Sequence, residues 1–298
     1  MRIIFCALLL SAFSSVQSLA APRVITDIAP VHGLVSRVMT GVGSPSLIVP
    51  PGVSAHYFSL SPSNTKTLSQ ANVVFWVGSS LTPWLQKPIE NIARNAESVA
   101  LLPLSGELLL SVQTTHSHSH SHQHLDTHTQ FDPHAWLDPE IASRWLNIIA
   151  ETLATLDPQN ASDYRVNAKA GQAEIERTFA VLSDKLSTIK TKPFAAYHDA
   201  YQYLERRFEL KFIGSLKNSD AAPLSARRLA ELRETLSEYP EVCVLTEPQY
   251  PPQLVEVLSN KGNVRLGIID PLGSNIPNGP NFYTQLLDEI GHNLISCF

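Results

Sequence analysis

Residues 159–189 constrain the fold of this chain more than any other stretch. Their apolar positions are Tyr164, Ala168, Ile175, Phe179, Leu182, Leu186 and Ile189. The steps between them are three or four residues, or a sum of these, so a helix here carries one apolar face. About 30 residues of helix reach roughly 45 Å, longer than a small domain is wide. A helix of this length reads as a backbone that joins two lobes. A coiled-coil arm would need a steady heptad register, and the register here drifts.

The segments on either side support two lobes. Before the helix, strands are predicted at 24–28, 46–49, 73–77 and 99–102, and helices at 31–39, 61–71, 83–94 and 138–156. Val73-Val74-Phe75-Trp76-Val77 is an unbroken apolar run of the kind that suits a strand buried on both faces. After it, strands are predicted at 194–197, 212–215, 242–246 and 264–269, and helices at 200–208, 224–239, 252–260 and 282–295. Strand–helix alternation predicts an α/β fold, two lobes with mostly parallel sheets. The expected division is a leader at 1–20, a first lobe at 21–157, the joining helix at 158–190 and a second lobe at 191–298.

The leader reads as a secretory signal peptide. Arg2 precedes an apolar run from Ile3 to Leu10, and Ser18-Leu19-Ala20 offers small residues for cleavage. The apolar run is too short to span a membrane, and no other segment approaches that length. Cys6 lies inside the run rather than just after it, which argues against a lipid anchor. These features predict a free protein of the periplasm. Without Arg2 the balance is 21 basic against 27 acidic residues, or −6, with nothing to suggest a nucleic-acid partner. Cys243 and Cys297 remain, an even pair in an oxidising compartment, and a disulfide between them is expected.

Seven of the eleven histidines fall between residues 115 and 134. His116, His118, His120, His122 and His124 alternate with Ser or Gln, and His128 and His134 follow. A short His-rich tract is a compositional signal for metal capture. It sits too deep in the chain for an expression tag, while a solvated linker is the plain alternative. Ser spacers and low hydrophobicity predict that the run His116–His128, in a loop at 115–133, orders only on binding and holds metal weakly.

A tight site needs ligands on rigid elements. His56 follows a short strand in P-P-G-V-S-A-H, and His198 directly follows a strand in A-Y-H-D-A-Y. Asp270 directly follows another in I-I-D-P-L-G, and His134 precedes the helix capped by Asp138. Open α/β sheets bind ligands at the carboxyl ends of their strands, so these residues face one mouth. Three imidazoles and a carboxylate suit tetrahedral zinc. His32 and His292, on an early and a late helix, read as surface or capping residues. A secreted zinc hydrolase is the competing class. Glu247 is its candidate base, although its position at a strand end suits structural hydrogen bonds, and no H-E-x-x-H motif occurs.

The segments P-P-G-V-S-A-H-Y-F-S-L-S-P-S, D-P-H-A-W-L-D-P-E, A-Y-H-D-A-Y, C-V-L-T-E-P-Q-Y and D-P-L-G-S-N-I, together with the His-rich insertion, resemble the zinc-binding components of zinc ABC importers, the ZnuA-like cluster A-I solute-binding proteins. The order is the family's, over nearly the whole chain after the leader. The resemblance implies two lobes joined by one long helix, with His56, His134 and His198 as ligands of a transported Zn2+ held in the interlobe cleft. It implies no catalysis, a membrane permease as partner, and a monomer, with periplasmic metal chaperones as further candidates. Related manganese binders tend to carry a carboxylate where His198 stands. Cys243 and Cys297 fall where zinc-binding relatives carry a disulfide. Some of those relatives carry Glu just before the first histidine, where this chain has Ala55. The fourth ligand is then Asp270, water or a loop histidine. A periplasmic zinc buffer with no permease is a third reading.

Overall fold

The computed structural model describes residues 21–112, 131–217, 224–251, 253–258 and 262–298. The leader and the run His116–His128 lie outside the described residues.

The chain begins with β1 (Val24–Thr26), α1 (Ala29–Val38), β2 (Ser46–Leu47) and α2 (Pro62–Ser69). β3 (Val73–Trp76), α3 (Pro83–Ile92), β4 (Glu97–Ala100) and α4 (Pro139–Leu156) follow. The four strands form one parallel sheet in the order β2-β1-β3-β4. Every residue of β3 is buried, as its unbroken apolar run requires. Helix starts follow local chemistry. Pro62, Pro83 and Pro139 open three helices at a position where no N–H is needed. Ser61 Oγ accepts from Asn64 N at 3.1 Å and Asn64 Oδ1 accepts from Ser61 N at 3.3 Å, a reciprocal cap. Asp138 caps α4 by accepting from Glu140 N at 2.9 Å.

The long helix is α5 (Ala161–Ser187), 27 residues and about 40 Å of rise, entered through a tight turn at Pro158–Asn160. Beyond it come β5 (Pro193–His198), α6 (Gln202–Phe208), β6 (Lys211–Lys217) and α7 (Ala226–Ser237). β7 (Val242–Thr246), α8 (Gln253–Glu256), β8 (Val264–Ile268) and α9 (Phe282–Ser296) complete it. The second sheet is also parallel, in the order β6-β5-β7-β8. Both sheets are therefore wound the same way. In each, the chain leaves its first strand to one side and returns on the other, so each has a crevice at the strand ends where the order reverses.

The apolar face of α5 buries Tyr164, Ala168, Ile175, Leu182 and Leu186 against α1, α4 and α9. Two glycines allow the close approaches. A Cβ on Gly171 would meet Leu146 Cδ1 at 3.0 Å, and one on Gly291 would meet Leu182 Cδ1 at 2.1 Å. Arg37 of α1 pairs with Glu174 of α5 through two hydrogen bonds of 2.8 and 2.9 Å. The apolar core runs without a break from Val24 and Phe75 through Trp145 and Leu182 to Phe194 and Leu294. Among the described residues no helix is long and apolar enough to cross a membrane.

Two expectations need correction. His32 is buried in α1 rather than at the surface. Its Nε2 lies 3.2 Å from the Pro45 carbonyl and its Nδ1 3.3 Å from Ser36 Oγ, and burial pulls its pKa below the usual imidazole value. It is a satisfied core histidine held neutral. The helix expected at 252–260 is described as Gln253–Glu256 and gives way to a turn at 257–258, with 252 and 259–261 outside the described residues.

Cys243 of β7 and Cys297 at the end of α9 form a disulfide that closes a 54-residue separation. Such a closure removes about 4 kcal/mol of chain entropy from the unfolded state. Replacing both cysteines by serine should lower unfolding stability by roughly that amount in a urea titration. A change under about 1 kcal/mol would show that packing alone holds α9 to β7.

Candidate metal centre

The crevice of the second sheet lies between the ends of β5 and β7. β5 ends on His198 and β7 is followed by Glu247. Glu247 Oε1 stands 2.6 Å from His198 Nδ1. Glu247 also accepts from Tyr201 Oη at 2.9 Å and from Gln249 Nε2 at 2.5 Å. Glu247 and His198 are buried.

His134 reaches the same point from the first lobe. The segment Phe131–His134 precedes a short turn of helix at Ala135–Leu137. Asp132 Oδ1 accepts from the His134 backbone N–H at 2.9 Å and from Nδ1 at 2.7 Å. That contact puts the proton on Nδ1 and leaves the Nε2 lone pair bare, the arrangement found when a carboxylate orients a metal-binding histidine. Tyr203 Oη donates to the Asp132 carbonyl at 3.1 Å, and Trp136 Nε1 donates to the Pro271 carbonyl at 2.8 Å. Both bonds cross from one lobe to the other.

His56 arrives on the loop after β2. Its Nε2 lies 3.4 Å from His134 Nε2, and His198 Nε2 also lies 3.4 Å from His134 Nε2. One ring nitrogen from each of the three falls within 4.8 Å of the others. Tetrahedral zinc at about 2.0–2.1 Å from each nitrogen sets neighbouring nitrogens about 3.3–3.4 Å apart. The three rings bring their nitrogens to one shared point, and the spacing fits a cation there.

The space they enclose is small. The cavity is about 20 Å³, lined by the three histidines with Ala55, Leu81, Trp136 and Leu272 among others. That is room for an ion or a water, against roughly 300 Å³ or more for an organic ligand. Glu247 is the acid in the cavity lining, and Asp132 lies against His134 behind it. Negative charge at this depth favours a cation over an anion.

Asp270 stands apart from this cluster. Its Oδ1 accepts from Leu272 N and Gly273 N at 3.0 Å each. Its Oδ2 accepts from Ser274 N at 2.6 Å and from the Ser274 hydroxyl. Both oxygens are thus committed to the turn after β8, and the structure does not bring Asp270 into the group of converging nitrogens. The remaining candidates of the His-rich run lie outside the described residues. His292 is exposed on α9.

Sequence reasoning missed Asp132. The signal was its place two residues before His134, close enough for one carboxylate to reach both the backbone N–H and the ring of the same histidine. Glu247 was visible as a strand-end acid, and its contact with His198 follows from β5 and β7 being neighbours. The hydrolase reading needs Glu247 as a free base, and here it is taken up by His198, Tyr201 and Gln249.

The model of the family described as zinc-uptake complex component A, periplasmic, matches residues 24–297. A high-affinity zinc uptake system protein ZnuA from Brucella abortus (strain 2308) is 34% identical over 312 aligned positions, covering 94% of this chain and 93% of its own. The protein of the same name from Paracoccus denitrificans (strain Pd 1222) is 33% identical, covering 93% and 91%. A crystal structure of ZnuA matches with a TM-score of 0.78 at 24% identity, over 93% of this chain and 99% of that one. The periplasmic zinc-binding protein TroA from Treponema pallidum matches at 0.76 and 19%, over 93% and 98%. At these identities the structural likeness is one of fold.

The contacts of the two carboxylates set an order of effects. Asp132→Asn and Glu247→Gln should each weaken zinc binding by about 10- to 100-fold. His198→Ala should weaken it more, and Asp270→Asn less than His198→Ala, because both Asp270 oxygens accept bonds from the turn after β8. Competition calorimetry against a chelator ranks the four. An Asp270→Asn loss equal to that of His198→Ala would show direct coordination by Asp270.

Proposed function

The chain belongs to the family of periplasmic zinc-uptake components, and we propose that it captures Zn2+ and delivers it to the membrane permease of an ABC importer. The observation that carries this reading is the convergence of three imidazole nitrogens, with those of His56 and His198 each 3.4 Å from that of His134, the spacing of a tetrahedral zinc site. Neutral nitrogen donors suit zinc among abundant divalent ions, whereas magnesium, calcium and manganese favour oxygen. His56, His134 and His198 hold the ion, and Asp270, water or a histidine of the run His116–His128 completes its coordination. Zinc here is cargo, so the protein is a binding component and not an enzyme.

The leader at 1–20 supports export to the periplasm, where this monomeric chain meets zinc and, further on, its permease. The disulfide suits that compartment. The His-rich run, which in sequence ends six residues before His134, serves as a loose collector. A buffer without a permease would bind zinc as well, so import itself is tested by zinc-limited growth of cells that depend on this chain, before and after loss of the permease.

Calorimetry on the mature protein should resolve one tight zinc and at least one weak one. Deleting residues 115–128 should remove the weak phase alone. Loss of the tight phase on that deletion would sink the assignment of the centre to His56, His134 and His198.

Proton competition gives a second test. Zinc needs unprotonated imidazole, and a free imidazole protonates near pH 6.5, about the middle of the accessible range. Apparent affinity should therefore fall steeply as pH drops below about 6, with more than one proton taken up per zinc released. An affinity that stays flat from about pH 7.5 to 5.5 is incompatible with three histidine ligands.

A further inference from the structure

We propose that Trp84 is a positioning residue for the zinc centre, fixing His56 through the carbonyl of Ala55. The inference rests on the zinc-binding reading and adds a residue to it. His134 and His198 are steered by the side chains of Asp132 and Glu247. His56 belongs to a stretch, residues 51–60, that contains no helix or strand. Its place therefore depends on what grips the backbone around it. Trp84 Nε1 donates to the Ala55 carbonyl at 2.8 Å, one peptide unit before His56. The Trp84 ring also meets Phe58 at a centroid distance of 5.2 Å, two residues after His56. The histidine is thus held from both sides by one half-buried indole.

The indole is itself anchored to the sheet. Trp84 lies in the first turn of α3, next to Thr82 at the cap position. Thr82 Oγ1 lies 3.4 Å from Asp27 Oδ2, which also accepts from Val77 N at 2.9 Å. Asp27 is fully buried at the end of β1, and its Oδ1 accepts from Ile28 N at 2.8 Å. A continuous path then runs from the switch point of the first sheet through α3 to the Ala55 carbonyl. Leu81, on the same turn, lines the metal cavity. The first sheet thereby aims His56 at nitrogens that the second lobe and the Asp132 segment hold in place.

Trp84→Phe keeps an aromatic ring at the position and removes the N–H donor together with the indole's second ring. Zinc dissociation from the mature full-length protein is followed with a colorimetric chelator, for this variant, His56→Ala, His198→Ala and the two double variants with Trp84→Phe. Trp84→Phe should release zinc about tenfold faster. The same substitution should add nothing once His56 is gone, and its full tenfold in the His198→Ala background, because only contacts in one path couple. An equal effect in both backgrounds overturns the inference and makes Trp84 general support for the lobe. No effect of Trp84→Phe, with His56→Ala still weakening binding, also overturns it while leaving the zinc reading intact. A His56→Ala variant that binds as well as the parent counts against the zinc reading itself. Should Trp84→Phe not fold, the indole ¹⁵N–¹H signals of the four tryptophans in the parent chain decide. The Trp84 signal should move when zinc is added, and a stationary signal overturns the inference.

Discussion

The bond between Asp132 and His134 is the contact on which the centre depends. At 2.7 Å it fixes a tautomer and a ring orientation together. With Nδ1 occupied, His134 can offer only Nε2, and that atom is the shared neighbour of the other two imidazoles. Asp132 is held in turn from the second lobe, where Tyr203 Oη bonds its carbonyl and also accepts from Leu110 N at 3.1 Å. The stem of the His-rich insertion and the helix that follows His198 are therefore parts of one assembly.

That assembly explains why two separate sheets behave as one frame. Each sheet closes around its own strands, yet the buried apolar core is continuous through α1, α4, α5 and α9. Polar bonds cross at the same level. Tyr283 Oη donates to the Trp136 carbonyl at 2.7 Å, and Arg207 holds Asp138 with two bonds of 2.8 and 2.9 Å. Asp138 also caps α4, so one buried carboxylate starts a helix in the first lobe and binds an arginine of the second. Any motion between the lobes must work against these buried contacts and against α5, which packs on helices from both.

Much of this was legible in the sequence for simple reasons. Strand positions followed from apolar runs too short and too β-branched for helices, and helix starts from Pro62, Pro83 and Pro139. The long helix was visible in its three-and-four spacing, with only its first turn tightened at Pro158–Asn160. The three histidines stood out because each follows or flanks an element end. Illegible were relations that only tertiary structure supplies. Nothing in the local sequence of His32 distinguishes a surface residue from one tucked under the Pro45 carbonyl. Asp270 also follows a strand, and nothing in the sequence shows that three backbone N–H groups of the next turn reach its oxygens. Trp84 lies 28 positions after His56, and no periodicity links them.

The distribution of charge bears on how such a site can both hold and surrender an ion. The three donors that face the cavity are imidazoles, which are neutral when they bind a metal. The negative charges lie one bond further out, on Asp132 and Glu247, where they raise the basicity of the rings. When a dication leaves, no bare carboxylate is stranded in the cavity. Asp132 keeps its bonds to His134, and Glu247 keeps those to Tyr201 and Gln249 with His198 beside it. A centre of three carboxylates in the same buried volume would repel itself once emptied and would have to open or take up protons. The arrangement here avoids that penalty, so the emptied frame can keep its shape. Ion capture then requires little reorganisation beyond stripping water from the metal, and release requires only that a ligand such as His56 be drawn away from the other two.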